Sequence, residues 1–297
     1  MTAPDNLRGI ALMAGSMALF AFEDMFLKFA AADLPTGEIL LITCLFGMTF
    51  FAALARVEGR RTLTRDALHP WVLIRNAGEM VGTYAYITAL AAVPLATVSA
   101  ILQAMPLAVT MGAALFLREK VGWRRWSAIA VGFAGVVVVI RPGFDGFQPN
   151  ALWVLVSVVG LGLRDLASRA IPAAISSTQV SAWGVASVAL LGAGMMPFQT
   201  AVLPGLWQSG MLAGAILFGT IGYWAITQAS RTGEVSVVSP FRYSRLVFAI
   251  VIGLLVFGEP SDTLTLTGAG VIILSGIYSF ARERSRKRTL PTSPAAS

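Results

Sequence analysis

The sequence predicts an all-α integral membrane protein with ten transmembrane helices in two inverted-topology five-helix repeats. Three observations predict this fold. Apolar runs of helical length dominate the chain, the basic residues fall in alternate connections, and a charged pattern near residue 24 returns 141 residues later. Runs of about 20 apolar residues are long enough to cross a bilayer as helices.

Composition places the 297-residue chain among membrane proteins. Hydrophobic residues make up 56% of it, charged residues only 12%, and the mean hydropathy is +0.75. Soluble domains carry roughly 25% charged residues. Because backbone groups in lipid have no water to bond with, the apolar runs must be helices rather than open strands. We place ten of them, at residues 7–31, 37–55, 70–91, 95–117, 123–140, 150–170, 179–197, 207–229, 234–257 and 262–281.

The basic residues predict how the chain is oriented. Sixteen of the 22 Lys and Arg residues lie near the termini or in one set of connections, and only Arg141 lies in the other set. Because basic residues are enriched in cytoplasmic connections, both termini are expected in the cytoplasm. The protein is expected to be a multi-pass protein of the inner (plasma) membrane. No basic face alternates with aromatic residues, so a nucleic-acid partner is not expected. The expected surroundings are the lipid bilayer.

The two halves of the chain carry matching charges. Asp24 corresponds to Asp165 and Lys28 to Arg169, each at a spacing of 141. Because each half holds an odd number of helices, the second half enters the membrane in the opposite orientation. Inverted repeats of this kind are typical of secondary transporters. The chain is accordingly divided into two five-helix repeats and a basic cytoplasmic tail, at residues 1–141, 150–281 and 282–297.

Longer stretches of both halves resemble a known family. They are PLATVSAILQAMPLAVTMGAALFLREKVGWRRWSAIAVGFAGVVVVIRPG in the first half and GEVSVVSP, GLLVFGEP and GAGVIILSGI in the second. These stretches are similar to the EamA-type carriers of the drug/metabolite transporter superfamily. The resemblance implies ten helices in two repeats, and the transport of amino acids, vitamins, sugars or other small metabolites.

Nine charged residues fall at membrane depth in the predicted helices. A lone charge in lipid costs about 3 kcal/mol, so these residues must pair with one another or line a wet cavity. An acid and a base four residues apart share a helix face. This spacing predicts three intrahelical pairs: Asp24–Lys28, Arg75–Glu79 and Asp165–Arg169. The candidates for ion pairing or coupling are Glu23, Asp24, Lys28, Glu79, Arg164 and Asp165.

Arg242 and Arg245 differ from the other charges at membrane depth. They lie three residues apart in the ninth predicted helix, whose middle holds no acid, and Tyr243 adjoins them. Two like charges need external partners, so we expect them to meet an acid of another helix or a bound carboxylate or phosphate. The predicted substrate-binding residues are Arg75, Tyr86, Gln103, Trp224, Arg242, Tyr243 and Arg245.

Enzyme signatures are not found in the sequence. One His, one Cys and no glycine-rich phosphate loop predict neither a metal cluster nor a cofactor. Inversion would place Asp24 and Asp165 at depths roughly 10–15 Å apart, too far for an aspartyl pair. The sequence therefore predicts a secondary transporter of a small anionic or zwitterionic metabolite, with proton coupling through Asp24, Glu79 or Asp165. The alternatives are an uncoupled facilitator or exchanger, a channel and an intramembrane enzyme.

Overall fold

The computed structural model describes residues 3–119, 121–144, 146–232 and 235–289, and these ranges form helices joined by turns and short loops. Part of the predicted basic tail, residues 290–297, lies outside the described residues. The α-helices are α1 (Ala3–Asp33), α2 (Thr36–Val57), α3 (Pro70–Ala92), α4 (Leu95–Leu102), α5 (Met105–Phe116), α6 (Trp123–Ile140), α7 (Leu152–Ala170), α8 (Ser177–Met195), α9 (Leu206–Thr232), α10 (Val235–Val238), α11 (Ser244–Phe257) and α12 (Thr263–Thr289). Short 3₁₀ turns lie at Arg65–Leu68, Pro149–Ala151, Met196–Phe198 and Ser239–Tyr243.

Nine helical stretches within the described ranges are long and apolar enough to cross a membrane. The predicted third span is not among them. It forms α3, which is 23 residues long but carries Arg75, Asn76 and Glu79, and these side chains lower its hydropathy. Many large apolar side chains on the other helices are exposed, including Leu190, Leu255 and Leu274. Outward-facing apolar surface of this extent is expected of a multi-pass membrane protein.

The fourth and ninth predicted helices, each placed as one span at residues 95–117 and 234–257, are interrupted near their prolines. In the first half α4 ends at Leu102 and α5 begins at Met105, with Pro106 in its first turn. In the second half a 3₁₀ turn that contains Pro240 precedes α11. Proline has no N–H group to donate and cannot continue the helical ladder, which explains a break at both positions.

Helices of the two halves pack against each other in four principal pairs. These pairs are α1 with α9, α2 with α8, α3 with α7 and α6 with α12. The core between them is aliphatic and includes the fully buried side chains of Ile39, Leu90, Ile101, Val154 and Ile272. Because every principal pair joins one half to the other, neither half completes a core by itself.

Glycine permits the closest of these helix contacts. A β-carbon at Gly160 of α7 would lie 2.6 Å from the backbone nitrogen of Gly82 and 2.9 Å from the carbonyl oxygen of Gly78, both in α3. Gly135 of α6 and Gly268 of α12 approach each other similarly, since a β-carbon on either would lie within 2.9 Å of the other's carbonyl oxygen. Small residues at such positions let helix backbones meet in a membrane.

Replacing Gly160 by alanine is expected to destabilise the protein. The new methyl group would press on the backbone of α3, and overpacking of this kind costs about 1–3 kcal/mol. Thermal unfolding in detergent should show a lower melting temperature for Gly160→Ala. Gly15→Ala is the matched control, because no atom lies within 4 Å of a β-carbon there. Equal melting temperatures for the two variants would contradict the close approach of α3 and α7.

Candidate functional site

A cavity of about 530 Å³ lies between α1, α2 and α3 of the first half and α7, α8, α9 and α11 of the second. Cavities of roughly 300–1,000 Å³ are typical of sites for small organic molecules. Seven of the nine charges predicted at membrane depth line this first cavity: Glu23, Asp24, Arg75, Glu79, Arg164, Asp165 and Arg245.

Asp24 and Arg245 form the most buried ion pair of the first cavity. Arg245 Nη2 lies 2.7 Å from both carboxylate oxygens of Asp24, and its Nε lies 3.1 Å from Oδ2. The hydroxyl of Tyr86 donates to Asp24 Oδ1 over 2.6 Å and accepts from Arg245 Nη2 over 3.0 Å. The Asp24 residue is only 1% exposed. Charge-assisted bonds of this number fix the orientation of all three side chains.

A second ion-pair cluster is centred on Glu79. Arg75 Nη1 lies 2.8 Å from Glu79 Oε2, which confirms the predicted pair one helical turn apart. Arg164 Nη1 reaches Glu79 Oε1 from α7 over 3.1 Å, and Arg164 Nη2 lies 2.8 Å from Asp165 Oδ1. Glu79 therefore bridges two guanidinium groups, one from each half of the protein.

Glu23 has no such partner. Its side chain faces the first cavity, and its carboxylate makes no hydrogen bond or ion pair with the residues that the structure describes. A β-carbon at Gly219 of α9 would lie 2.5 Å from Glu23 Oε1, so the glycine leaves room for this carboxylate. Glu23 is thus an acid without an ion-pair partner among the described residues.

A second cavity, of about 580 Å³, lies beside the interrupted helices and is lined by Gln103, Arg242 and Tyr243. Gln103 Nε2 donates to the carbonyl oxygen of Tyr243 over 3.1 Å, so the two breaks contact each other. Arg242 lies in the 3₁₀ turn and forms no ion pair with the described residues, while Arg245 lies in α11. Both arginines line this cavity.

Three residues line both cavities: Phe20, Asp165 and Arg245. They form a shared wall, and the Arg245 guanidinium lies 5.4 Å from the centre of the Phe20 ring. Of the predicted substrate-binding residues, Arg75, Tyr86 and Arg245 line the first cavity. Trp224 lines neither, and its residue on α9 is 58% exposed.

The structure adds uncharged lining residues that the sequence did not predict as part of a binding site. Phe50, Phe51 and Cys44 of α2 and Tyr223 of α9 line the first cavity. The rings of Phe51 and Tyr223 meet edge to face, with centroids 5.4 Å apart. Because α2 has no charge in its middle, the charge pattern gave no signal for its contribution.

Two of the three predicted intrahelical pairs are wrong. Lys28 pairs with Glu259, at 3.0 Å, rather than with Asp24. Arg169 lies 3.6 Å from Glu119 rather than pairing with Asp165. In each case a side chain from the other half of the protein provides the partner, and helical spacing alone does not reveal such a neighbour.

The Lys28–Glu259 pair is tied into the backbone. Lys28 Nζ donates to the carbonyl oxygen of Val93 over 2.6 Å, and the amide of Leu95 donates to Glu259 Oε2 over 2.8 Å. The Lys28 and Glu259 side chains are only 12% and 22% exposed. The interactions close the contact between the C-terminal part of α1, the start of α4 and the end of α11.

A further contact between the halves lies just outside the membrane-spanning segments, where Arg141 bonds to Asp262. Partial burial opposes ionisation of Asp262, but the hydrogen bonds from Arg141 and from the Thr265 amide outweigh it and hold the pKa of this carboxyl below its ordinary value. Asp262 is therefore ionised at neutral pH, and the stability that the pair contributes is lost only as acid protonates the carboxylate.

Asp24→Asn is expected to destabilise the protein far more than Asp165→Asn. Asn in place of Asp24 removes the carboxylate to which Arg245 bonds, and breaking a buried ion pair costs about 3–5 kcal/mol. Asp165 is the control, because its side chain is 37% exposed and Arg164 keeps Glu79 as a partner. Melting temperatures of the purified variants measure the difference. A larger loss for Asp165→Asn would show that the Asp24–Arg245 pair is not the principal one.

Comparison with known proteins identifies relatives along nearly the whole chain. The model of the EamA-like transporter family matches residues 7–141 and again residues 148–281. A riboflavin transporter of Vibrio cholerae is 27% identical over 300 residues, covering 95% of this chain and 96% of the relative. An S-adenosylmethionine uptake transporter of Rickettsia felis is 28% identical over 294 residues, with the same coverage.

Two further matches are more distant. A pseudopaline exporter of Pseudomonas aeruginosa is 25% identical over 277 residues, covering 93% of this chain and 96% of the exporter. A solved crystal structure that is 20% identical superposes with a TM-score of 0.61 over 98% of this chain and 100% of that one, which shows a shared fold. Since the family model matches both halves of an all-helical chain with many membrane-spanning helices, this protein belongs to the EamA-like transporter family and is a membrane transporter, not an enzyme.

Proposed function

We propose that the protein is a ten-helix secondary transporter that moves a small organic metabolite across the inner membrane by alternating access. The helix packing supports an inverted repeat. If α1 is exchanged for α7, α2 for α8, α3 for α9 and α6 for α12, the four principal packing pairs map onto themselves. Repeats related in this way rock against each other around a central site.

The observation that carries the proposal is a pair of equivalent ion pairs between the halves. Lys28 of the first repeat meets Glu259 of the second, and Arg169 of the second meets Glu119 of the first. The two bases are 141 residues apart and the two acids 140 residues apart. Each repeat therefore supplies a base and a glutamate, at equivalent positions, to a contact with the other.

The two contacts lie at opposite ends of the α4–α5 stretch. At the start of the stretch, Lys28 bonds to Val93 and Glu259 bonds to Leu95. Beyond the end of the stretch, Glu119 meets Arg169. The stretch has 22 residues, so the contacts are roughly 30 Å apart, the thickness of a membrane core. The first is tight, whereas the Arg169 and Glu119 side chains are 53% and 47% exposed. We propose that the second contact tightens as the first opens.

The orientation of the protein follows from its basic residues. With both termini in the cytoplasm, Arg169 and Glu119 lie on the cytoplasmic side and Lys28 and Glu259 on the other. Lys28–Glu259, the tight pair on the outer side, and Arg169–Glu119, the loose pair on the cytoplasmic side, then correspond to a state that admits molecules from the cytoplasm. Transport in either direction uses this state.

The substrate that we propose is a zwitterionic or anionic metabolite. Arg75, Arg164 and Arg245 are already held by acids in the first cavity, whereas Arg242 faces the second cavity without a counter-ion among the described residues. Arg242, with Gln103 and Tyr243 beside it, is therefore the group that we assign to a carboxylate or phosphate. Transport of a small organic metabolite agrees with the names of the relatives, which specify riboflavin, S-adenosylmethionine and pseudopaline.

Charge exchange tests the proposed gate. Lys28→Glu places two acids together on the outer side, so exchange of substrate by the reconstituted protein should fall at least tenfold. Adding Glu259→Lys restores an ion pair of reversed sign and should recover part of the rate. Asp262→Asn, which alters another contact between the halves, is the control and should retain the rate. Wild-type exchange in the Lys28→Glu single variant would contradict a gating role for this pair.

A second experiment measures transport itself and its coupling. Proteoliposomes loaded with riboflavin, S-adenosylmethionine, amino acids or organic acids should show saturable counterflow for at least one of them, which a channel would not. If protons drive transport, an imposed pH gradient accelerates uptake, and an amide at Asp24, Glu79 or Asp165 abolishes the acceleration in at least one folded variant. If the gradient has no effect on the wild type, the protein is an uncoupled exchanger.

A further inference from the structure

We infer that Glu23 binds a cationic group of the transported molecule, so that the substrate carries an ammonium, guanidinium or sulfonium centre. The inference rests on the proposed function, the transport of a small metabolite, and makes the first cavity a further part of the substrate site. It assigns to that cavity a charge preference of its own, distinct from the anion site that we propose at Arg242.

The first cavity is lined by one more acid than base. It holds three arginines and four carboxylates. Each arginine has a carboxylate oxygen within 2.8 Å: Arg75 meets Glu79, Arg164 meets Asp165, and Arg245 meets Asp24. Glu23 is the acid of this cavity without a bonded partner among the described residues, because Arg245, which attracts it, is already bonded to Asp24. A carboxylate at membrane depth is stabilised by a cation, and a bound ligand is the source that we infer.

By contrast, the residue at the equivalent position of the second repeat has its charge paired. Arg164 corresponds to Glu23 at the repeat spacing of 141, with the opposite charge. Arg164 bonds to its neighbour Asp165 and to Glu79 of the other half. Asp24, the neighbour of Glu23, bonds to Arg245 instead. Only the first repeat therefore presents an unpaired charge to the cavity at this position.

Aromatic side chains that line the first cavity favour an organic cation. Phe20, Phe50, Phe51 and Tyr223 line the same cavity. Aromatic faces attract ammonium and guanidinium groups within about 6 Å of the ring centre. Divalent metal ions instead require several oxygen or nitrogen ligands, and the searched residues contain no group of three His, Cys, Asp or Glu side chains that could hold one.

The position of the carboxylate depends on Gly219. Any larger residue there would meet Glu23 Oε1 at 2.5 Å, or closer with a longer side chain, and would displace the carboxylate. Glu23 is therefore held where α1 passes α9, inside the cavity and one helical turn from Phe20. The Glu23 carboxylate and the four aromatic side chains therefore line the same cavity.

Cys44, the single cysteine of the chain, provides a test because it lines the same cavity. Two thiol reagents of similar size and opposite charge, trimethylammonioethyl methanethiosulfonate and sulfonatoethyl methanethiosulfonate, are compared on the purified full-length protein. The ratio of their reaction rates cancels any change in the ionisation of the thiol. The cationic reagent should react faster with the wild type, and Glu23→Gln should lower the ratio at least fivefold.

Two control variants make the result specific. Glu23→Asp keeps the charge and should keep most of the preference for the cationic reagent. Glu58→Gln removes a charge after α2, outside the cavity, where Glu58 Oε1 accepts from Thr178, and should leave the ratio within twofold of the wild type. An unchanged ratio in Glu23→Gln, an equal fall in Glu58→Gln, or a thiol inert to both reagents would overturn the inference.

Binding is tested with tetraethylammonium as the probe cation. It should protect Cys44 of the wild type and of Glu58→Gln from the neutral reagent N-ethylmaleimide, and should protect Glu23→Gln at least tenfold less well. Equal protection of all three variants would overturn the assignment to Glu23. Because neither measurement requires transport, a protein with a cation site but no counterflow would refute the proposed function alone.

Discussion

The structure depends on ion pairs between charges that lie at membrane depth and come from different halves of the chain. Asp24 with Arg245, Glu79 with Arg164 and Lys28 with Glu259 each join the first half of the chain to the second. Breaking one such pair leaves a charge in a medium that solvates it poorly. Two of these pairs, Asp24–Arg245 and Glu79–Arg164, also line the first cavity. Lys28–Glu259 is the pair that we propose as the outer gate, so the side chains that stabilise the fold are also those to which we assign transport.

The sequence predicted the helices and the charged residues well because both have local causes. Apolar runs of spanning length force helices in lipid, and charges within them must line a cavity or pair. Seven of the nine charges predicted at membrane depth line the first cavity. α3 departs from the expected apolarity because Arg75 and Glu79, one turn apart, face that cavity and pair with each other.

Partners across the helices could not be predicted from spacing. Asp24 and Lys28 share a helix face, but Arg245 offers Asp24 two parallel hydrogen bonds, and Glu259 together with the Val93 carbonyl takes up Lys28. Which distant side chain reaches a charge depends on how the helices pack. The contribution of Phe50 and Phe51 to the first cavity could not be predicted for a related reason. A phenylalanine in an apolar run gives the same sequence pattern whether it faces lipid or a cavity.

The long sequence separation of these partners has a consequence for how the chain is made. Asp24 is synthesised 221 residues before Arg245, and Glu79 is synthesised 85 residues before Arg164. Chains emerge from the ribosome at roughly 5–20 residues per second, so the early acids wait several seconds or longer for their counter-ions. During this interval the first half of the chain carries Asp24 and Glu79 without Arg245 and Arg164. The contacts that these two acids make between the halves can therefore form only after α7 and α11 have been synthesised.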